Sequence, residues 1–300
     1  MRSLLILRYC LALLLAVPML SVAQSSVTIT ANGVSFKMVR VQGGTFTMGA
    51  TSEQGSDASD IEKPAHKVTL SDYYMGETEV TQALWKAVMG SNPSEFAPTE
   101  TSAARGSYDD FVANAKLLNA KKPGTVRIPT RQEWDAAMVT TKGSLQKPVE
   151  HVSWEDCQTF IKKLNQLTGK KFRLPTEAEW EFAARGGVKS KGYKYSGSNT
   201  LGTVAWYEDN AGDSTHDVKT KRANELGLYD MTGNVWEWCS DWYDEYRSNS
   251  QTNPRGASSG SGRVSRGGGW GSNARDCRVS LRNSSPPADR YYRLGLRLAL

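Results

Sequence analysis

The sequence is poor in the residues from which most metal and redox centres are built. Its 300 residues include three histidines (His66, His151 and His216) and four cysteines, too few for any site that needs a histidine cluster. Lys and Arg outnumber Asp and Glu by only 37 to 31, and no basic run concentrates them, which argues against a nucleic-acid partner. No apolar run approaches the ~20 residues of a membrane span. The composition therefore predicts a globular domain.

The N-terminus has the pattern of a secretory signal peptide. Arg2 and Arg8 flank a short apolar stretch, a second apolar run covers residues 11–17, and small residues follow up to Ala23. We therefore expect cleavage after Ala23; a buried N-terminal helix is the alternative. The pattern predicts an exported, soluble protein, periplasmic or extracellular, whose mature domain covers residues 24–300.

Cleavage removes Cys10 and leaves Cys157, Cys239 and Cys277. An odd number of cysteines in an oxidising compartment allows at most one intrachain disulfide and leaves at least one thiol. The spacing does not indicate which two residues pair.

The mature chain begins with a pattern of short strands. Apolar and polar residues alternate over residues 27–48, and Gly43-Gly44 interrupts the alternation, which predicts strands joined by glycine turns. Thr81 then caps a predicted helix that Gly90 ends.

An internal repeat follows. Residues 107–138 match residues 153–184 at a constant offset of 46, with 11 identities in 32 ungapped positions. Two copies do not make a solenoid, so we interpret the first copy as a tandem duplicate inserted at about residues 98–146. Each copy predicts a helix, a short strand and a second helix.

The second copy carries clear local signals. Ser153 caps a helix that Gly169 ends, a short strand is expected at residues 172–174, and Thr176 forms a capping box with Glu179. The same signals recur 46 residues earlier. The tryptophans expected in matching buried positions are Trp134 and Trp180.

Several sequence blocks occur in a fixed order. They comprise residues 43–49 (Gly-Gly-Thr-Phe-Thr-Met-Gly), 79–81 (Glu-Val-Thr), 173–187 (Arg-Leu-Pro-Thr-Glu-Ala-Glu-Trp-Glu and onward), 227–238, and a closing block from 266–270 through 295–297. From about residue 34 to 300, apart from the insert, the chain resembles the formylglycine-generating enzyme, or sulfatase-modifying factor, family. The resemblance implies an α+β fold: the irregular C-type-lectin-like fold of that family, with few long elements.

The resemblance also implies a calcium site in the loop 230–237. Carried over by position, Asp230 and Glu237 offer side-chain oxygens, while Gly233 and Val235 offer backbone carbonyls. Calcium prefers six to eight oxygen ligands, and carboxylates at both ends of a glycine-bent loop suit it. The alternative is that Glu237 forms an ion pair with an arginine.

A second family calcium site uses an Asn, the next carbonyl and a later Asp. Asn210 and Ala211 are the candidates to begin it, but the loop that follows is shorter here. Calcium is thus the one cofactor that the sequence predicts.

The catalytic positions depart from the family pattern. Active members hold copper(I) between two cysteines five residues apart and oxidise a substrate cysteine of an unfolded sulfatase to formylglycine. Here the second position is Cys277 but the first is Ser272, and a neutral hydroxyl is a poor ligand for copper(I), which prefers thiolates. Residues 282–289 have also diverged. We therefore do not expect copper to bind or the oxidase activity to be present.

The leading functional hypothesis is an accessory module whose family active-site cleft binds an unknown protein, peptide or glycan. Two alternatives stay open. One is an atypical oxidase that uses Cys277 alone. The other concerns residues 271–293, which are dense in Ser, Asn, Asp, Arg, Tyr and Pro. Similar stretches in this fold are variable ligand-binding surfaces that retroelements diversify.

Overall fold

The computed structural model describes residues 25–102, 108–122, 124, 126–131, 133 and 139–300. The predicted signal peptide, residues 1–23, lies outside this part. Within it, the strands are β1 (Ser26–Ala31), β2 (Val34–Val41), β3 (Gly44–Met48), β4 (His66–Leu70), β5 (Tyr73–Gly76), β6 (Thr99–Ser102), β7 (Val139–Lys142), β8 (Trp236–Trp242), β9 (Gln251–Thr252), β10 (Arg263–Arg266), β11 (Arg282–Ser285) and β12 (Leu294–Leu296). The helices are α1 (Gln82–Met89), α2 (Tyr108–Lys121), α3 (Trp154–Thr168) and α4 (Glu177–Ala184).

These short elements form small sheets, as expected for an α+β, C-type-lectin-like fold. The strand orders are β1-β2-β5, β3-β4-β9, β6-β7 and β11-β10-β8-β12. In the last of these, β12 runs parallel to β8, while β10 is antiparallel to both β8 and β11. The chain's final residues therefore lie beside the strand that follows the predicted calcium loop.

The helix caps confirm the local predictions. The side chains of Thr81, Ser153 and Thr176 each accept a hydrogen bond from a backbone N–H in the first turn of the helix that follows. Gly90 and Gly169 end α1 and α3 in the left-handed conformation, which glycine adopts without steric cost.

The helices pack by their predicted apolar faces. Cys157, Phe160, Ile161 and Leu164 of α3 join one core cluster, where Trp85 of α1 stacks on Phe160 with ring centroids 4.8 Å apart. The expected strand at residues 172–174 is reduced to a single bridge between Arg173 and Ala299. The prediction of a strand there is therefore wrong, because one residue of the C-terminal segment, Ala299, supplies the pairing.

The proposed insert is joined to the domain at a narrow base. Among the strands that the structure describes, β6 pairs only with β7. A Cβ on Gly143 would lie 3.2 Å from Cα of Pro98, so the two ends of the insert nearly touch. In the helix of the insert, Leu118 is 50% exposed, whereas its counterpart in α3, Leu164, is fully buried. At this position the insert does not repeat the core role of the second copy.

Some local contacts nevertheless recur between the copies. The Asn119 side chain bonds the backbone of Val126, as Asn165 bonds that of Phe172. Trp134 and most of its predicted helix lie outside the described residues, so the full correspondence stays a prediction.

No helix in the described part of the chain is both long and apolar enough to cross a membrane.

Candidate functional site

A polar cleft of about 350 Å³ opens on one face of the β11-β10-β8-β12 sheet. Eight of its twelve lining residues fall within 271–293. We name it the Ser272 cleft; it is lined by Glu208, Trp236, Ser265, Gly271, Ser272, Asn273, Asp276, Asn283, Ser285, Tyr291, Arg293 and Leu294. Hydroxyl and amide groups dominate this set, and charges of both signs are present.

The glycines after β10 shape this region. Gly267 and Gly268 have φ angles of 100° and 75°, a conformation that disfavours side chains. A Cβ on Gly268 would lie 2.8 Å from Sγ of Cys277. The Arg-Gly-Gly block thus lets the backbone run directly over Cys277 before it reaches Ser272.

Ser272 is held by the loop in which it lies. Its Oγ accepts a hydrogen bond from the Gly269 N–H at 3.0 Å, and its carbonyl accepts one from the Glu208 N–H at 3.1 Å. The side chain therefore stabilises the cleft wall as a neutral hydroxyl.

Cys277 lies beneath the cleft and is fully buried. It packs with Tyr195, Leu201, Val204 and Ala205 in a small apolar cluster. Burial, with a smaller contribution from the Asp276 carboxylate, raises the pKa of the thiol well above its usual range. Cys277 is not among the residues that line the cleft, because the loop backbone covers it.

The thiols are unpaired. Cys157, Cys239 and Cys277 are all buried and free, so the structure does not contain the one disulfide that their number allows. Cys157 and Cys239 belong to two different core clusters.

The copper chemistry of the family does not fit these residues. Copper(I) prefers soft thiolate ligands to hydroxyls. Ser272 supplies a hydroxyl, and Cys277 is a buried thiol whose raised pKa favours the protonated form.

The predicted calcium loop is part of a buried acidic cluster. Glu237 accepts hydrogen bonds from Arg297 at 2.7–3.0 Å and from the Trp180 indole N–H at 2.6 Å. The arginine pairing kept as the alternative for Glu237 is therefore present in the structure. Because both carboxylate oxygens of Glu237 already accept hydrogen bonds, Asp230 is the better candidate for a cation ligand.

Asp230 has an unsatisfied oxygen. Its Oδ2 accepts from the Lys219 N–H at 2.8 Å, but Oδ1 is buried without a hydrogen-bond partner. Burial raises the pKa of Asp230 to about 6. Burial also raises the pKa of Glu79 well above its usual range, with further contributions from the Asp230 and Glu237 carboxylates. Three acids thus share one guanidinium, and a cation at Asp230 Oδ1 fits this imbalance.

The residues proposed for a second calcium site have chain partners. The Asn210 side chain accepts from the Tyr207 N–H at 2.9 Å and donates to the Ala205 carbonyl at 3.0 Å. The Ala211 carbonyl lies 2.7 Å from Nε2 of His216. Each of these oxygens accepts one hydrogen bond and keeps a second lone pair for a cation.

An aromatic cluster lies outside the lining of the cleft. Trp270 lies between Phe96 and Tyr292, with ring centroids 5.6 Å and 5.7 Å away. Tyr292 is 48% exposed. The contact with Phe96 could not be predicted from the sequence, because Phe96 comes from a distant loop.

Buried arginines support the sheet from its other face. Arg266 pairs with Glu181, Arg278 with Glu62, and Arg282 with Glu177. These pairs could not be predicted from the sequence, because the two partners of each pair lie 85 or more residues apart in the chain.

The fold is that of a C-type-lectin-like domain, and the C-terminal segment supplies most of the residues that line the cleft. The chain belongs to the family described as "Sulfatase-modifying factor enzyme 1-like domain", which it matches over residues 28–300.

Its relatives differ in their described roles. The chaperone protein LppX of Paenibacillus barcinonensis is 33% identical over 285 residues, covering 89% of each chain. The formylglycine-generating enzyme of Streptomyces coelicolor is 34% identical over 284 residues, covering 87% of this chain and 88% of that one. The structure of Treponema denticola variable protein 1 aligns with a TM-score of 0.70 and 33% identity, covering 92% of this chain and 99% of that one. Overall similarity therefore does not decide the activity.

Proposed function

We propose that this protein is an exported accessory module that recognises a ligand in the Ser272 cleft and lacks cysteine-to-formylglycine oxidase activity. One observation carries the proposal: the cleft presents the Ser272 hydroxyl, while the remaining family cysteine, Cys277, is buried beneath it. A single buried thiol does not hold copper(I) as two thiolates do.

A copper(I) titration against a chromophoric chelator tests this proposal. We expect the wild type to bind no more tightly than Cys277→Ser, whereas the Streptomyces coelicolor relative serves as the positive control. Ser272→Cys should tighten binding, and Ser272→Cys combined with Cys277→Ser should abolish the gain. Copper(I) affinity of the wild type equal to that of the enzyme would contradict the proposal.

The composition of the cleft supports recognition of a macromolecular ligand. Serine, asparagine and glycine supply adaptable hydrogen bonds, while Tyr291 and Trp236 supply rigid aromatic area at low entropic cost, as in antibody paratopes. A protein or peptide surface is the ligand class that this combination favours.

A second candidate is a variable ligand-binding surface diversified in residues 271–293. Two observations favour it: this segment supplies most of the cleft lining, and a similar solved structure is described as a variable protein. The test is to sequence the DNA beside the gene. A near-identical template copy of the segment supports diversification, and its absence counts against it.

We also propose that calcium stabilises the domain. Asp230, with its buried unpartnered oxygen, is the expected side-chain ligand, and the carbonyls of Gly233 and Val235 are the expected backbone ligands. The ion would offset the excess negative charge of Glu79, Asp230 and Glu237 over Arg297.

A further inference from the structure

A second cavity lies on the opposite face of the β11-β10-β8-β12 sheet from the Ser272 cleft. It encloses about 400 Å³ between the start of α4 and the segment 244–257. On β11, Arg282 lines this cavity whereas Asn283 and Ser285 line the cleft, because successive side chains of a strand point to opposite faces. We name it the Asp241 cavity; it shares no lining residue with the cleft.

Asp241 presents a carboxylate that is only half satisfied. The residue is 4% exposed and lines the cavity. Its Oδ2 accepts from the Glu177 N–H at 3.1 Å and from the Ser240 hydroxyl at 2.8 Å. Across the residues that the structure describes, no donor reaches Oδ1, and Oδ1 is not among the unpartnered atoms fully sealed from solvent.

The buried arginine of the cavity wall is already engaged. Arg282 donates to both oxygens of Glu177, at 2.8 and 2.6 Å, and the Tyr246 hydroxyl donates to the same carboxylate at 3.1 Å. The charges of Arg173 and Arg263 act on Asp241 from a distance, but in the described part of the chain no cation forms an ion pair with its carboxylate. Burial, together with the Glu177 charge, raises the pKa of Asp241 to about 7, so a cationic partner would stabilise its charged form.

The cavity walls combine apolar surface with charges of both signs. Trp242, Tyr246 and Pro254 contribute apolar surface, and Asp244 and Glu245 add carboxylates. Arg247 and Arg255 add guanidinium groups, and Arg247 pairs with Asp244 at 3.6 Å, whereas Glu245 has no ion pair in the described part of the chain. An ammonium group on a methylene chain matches this arrangement, because its charge meets Asp241 while its methylenes lie against the rings.

We propose that the Asp241 cavity binds a primary alkylammonium group, with the ammonium on Asp241 and the methylenes against Trp242 and Tyr246. A lysine side chain of a partner polypeptide carries this group, as does a free diamine.

Titration calorimetry with small probes tests this proposal. We expect Nα-acetyl-lysine methylamide to bind and Nα-acetyl-norleucine methylamide, which lacks the charge, to bind at least about tenfold more weakly. Cadaverine distinguishes the source of the ammonium: weaker binding of cadaverine than of capped lysine indicates a polypeptide partner, and tighter binding indicates a free diamine.

Two variants locate the site. Asp241→Asn should weaken capped lysine about tenfold or more. Glu245→Lys, at an exposed position, tests the site without disturbing the core and should weaken binding several-fold. Asp60→Lys is the matched control, because its side chain is 99% exposed and lies outside the cavity; it should change nothing. Equal binding of the lysine and norleucine probes, or unchanged affinity in Glu245→Lys, would overturn the proposal.

Discussion

At the scale of single residues, burial changes the chemistry of several carboxyl groups. Glu150 is fully buried; its Oε1 accepts from the Phe96 N–H at 3.0 Å, but Oε2 has no hydrogen-bond partner. Burial raises the pKa of Glu150 to about 7, well above the ~4.3 of a solvated glutamate. The folded state therefore favours the protonated form of Glu150. This contribution to stability is fully present below the pKa that Glu150 has in the unfolded chain, and it is lost as the pH rises through about 7.

Glu150→Gln should remove this pH dependence. Gln keeps an oxygen acceptor for Phe96 and carries no charge, so we expect the variant to exceed the wild type in stability at pH 8 by up to about 3 kcal/mol. At pH 4 the two should be nearly equal. Chemical denaturation at both pH values measures the difference. Glu155→Gln, at an exposed position, is the control, and a gain for Glu150→Gln that is the same at both pH values would refute the explanation.

At the scale of elements, local signals predicted more than long-range ones did. The helix caps at Thr81, Ser153 and Thr176 were correct because a cap depends on residues within one turn. The strand at residues 172–174 was wrong because its pairing depends on Ala299, more than 100 residues later.

The candidate site shows the same difference between local and long-range signals. The block 266–270 predicted where the cleft lies, since the family pattern fixes the position of Ser272. The depth of Cys277 was not predictable, because it depends on packing against residues 195–205. The ion pair between Glu237 and Arg297 was likewise not predictable, because 60 residues separate the two in the sequence.

The base of the insert gives a prediction at this scale. Because Pro98 and Gly143 are adjacent, joining them directly after removal of residues 99–142 should leave the domain folded. We expect the midpoint of thermal unfolding to change by less than about 5 °C, which for a domain of this size corresponds to about 1–2 kcal/mol. Loss of cooperative unfolding in the shortened chain would show that the insert is part of the core.

At the scale of the whole molecule, buried charge is concentrated around the β11-β10-β8-β12 sheet. Arg266, Arg278 and Arg297 are fully buried with carboxylate partners. Such pairs are costly to break, since loss of one partner leaves an uncompensated buried charge. The acidic cluster at Asp230 is the exception, because its acids outnumber its one arginine.

Chelation of calcium tests whether a cation completes that cluster. An ion bound only by the folded state at 100 times its dissociation constant adds about 2.7 kcal/mol. We therefore expect EGTA to lower the unfolding temperature by about 5–10 °C and added calcium to restore it.

Asp230→Asn is the matched variant for this experiment. Asp230 has a φ of 56°, a conformation that Asn also tolerates, so the backbone should survive the change. The variant should respond less to EGTA than the wild type does. A wild-type melting curve that EGTA leaves unchanged would show that calcium does not stabilise the folded domain.

Turnover tests most directly whether this family member binds without oxidising. A cysteine-containing sulfatase peptide is incubated with the protein, copper(I), oxygen and a thiol reductant, and aldehyde is measured by mass spectrometry, with the Streptomyces coelicolor enzyme as the positive control. We expect no aldehyde above the level of Cys277→Ser. Copper-dependent aldehyde formation by the wild type that disappears in Cys277→Ser would contradict this expectation and make this protein an enzyme.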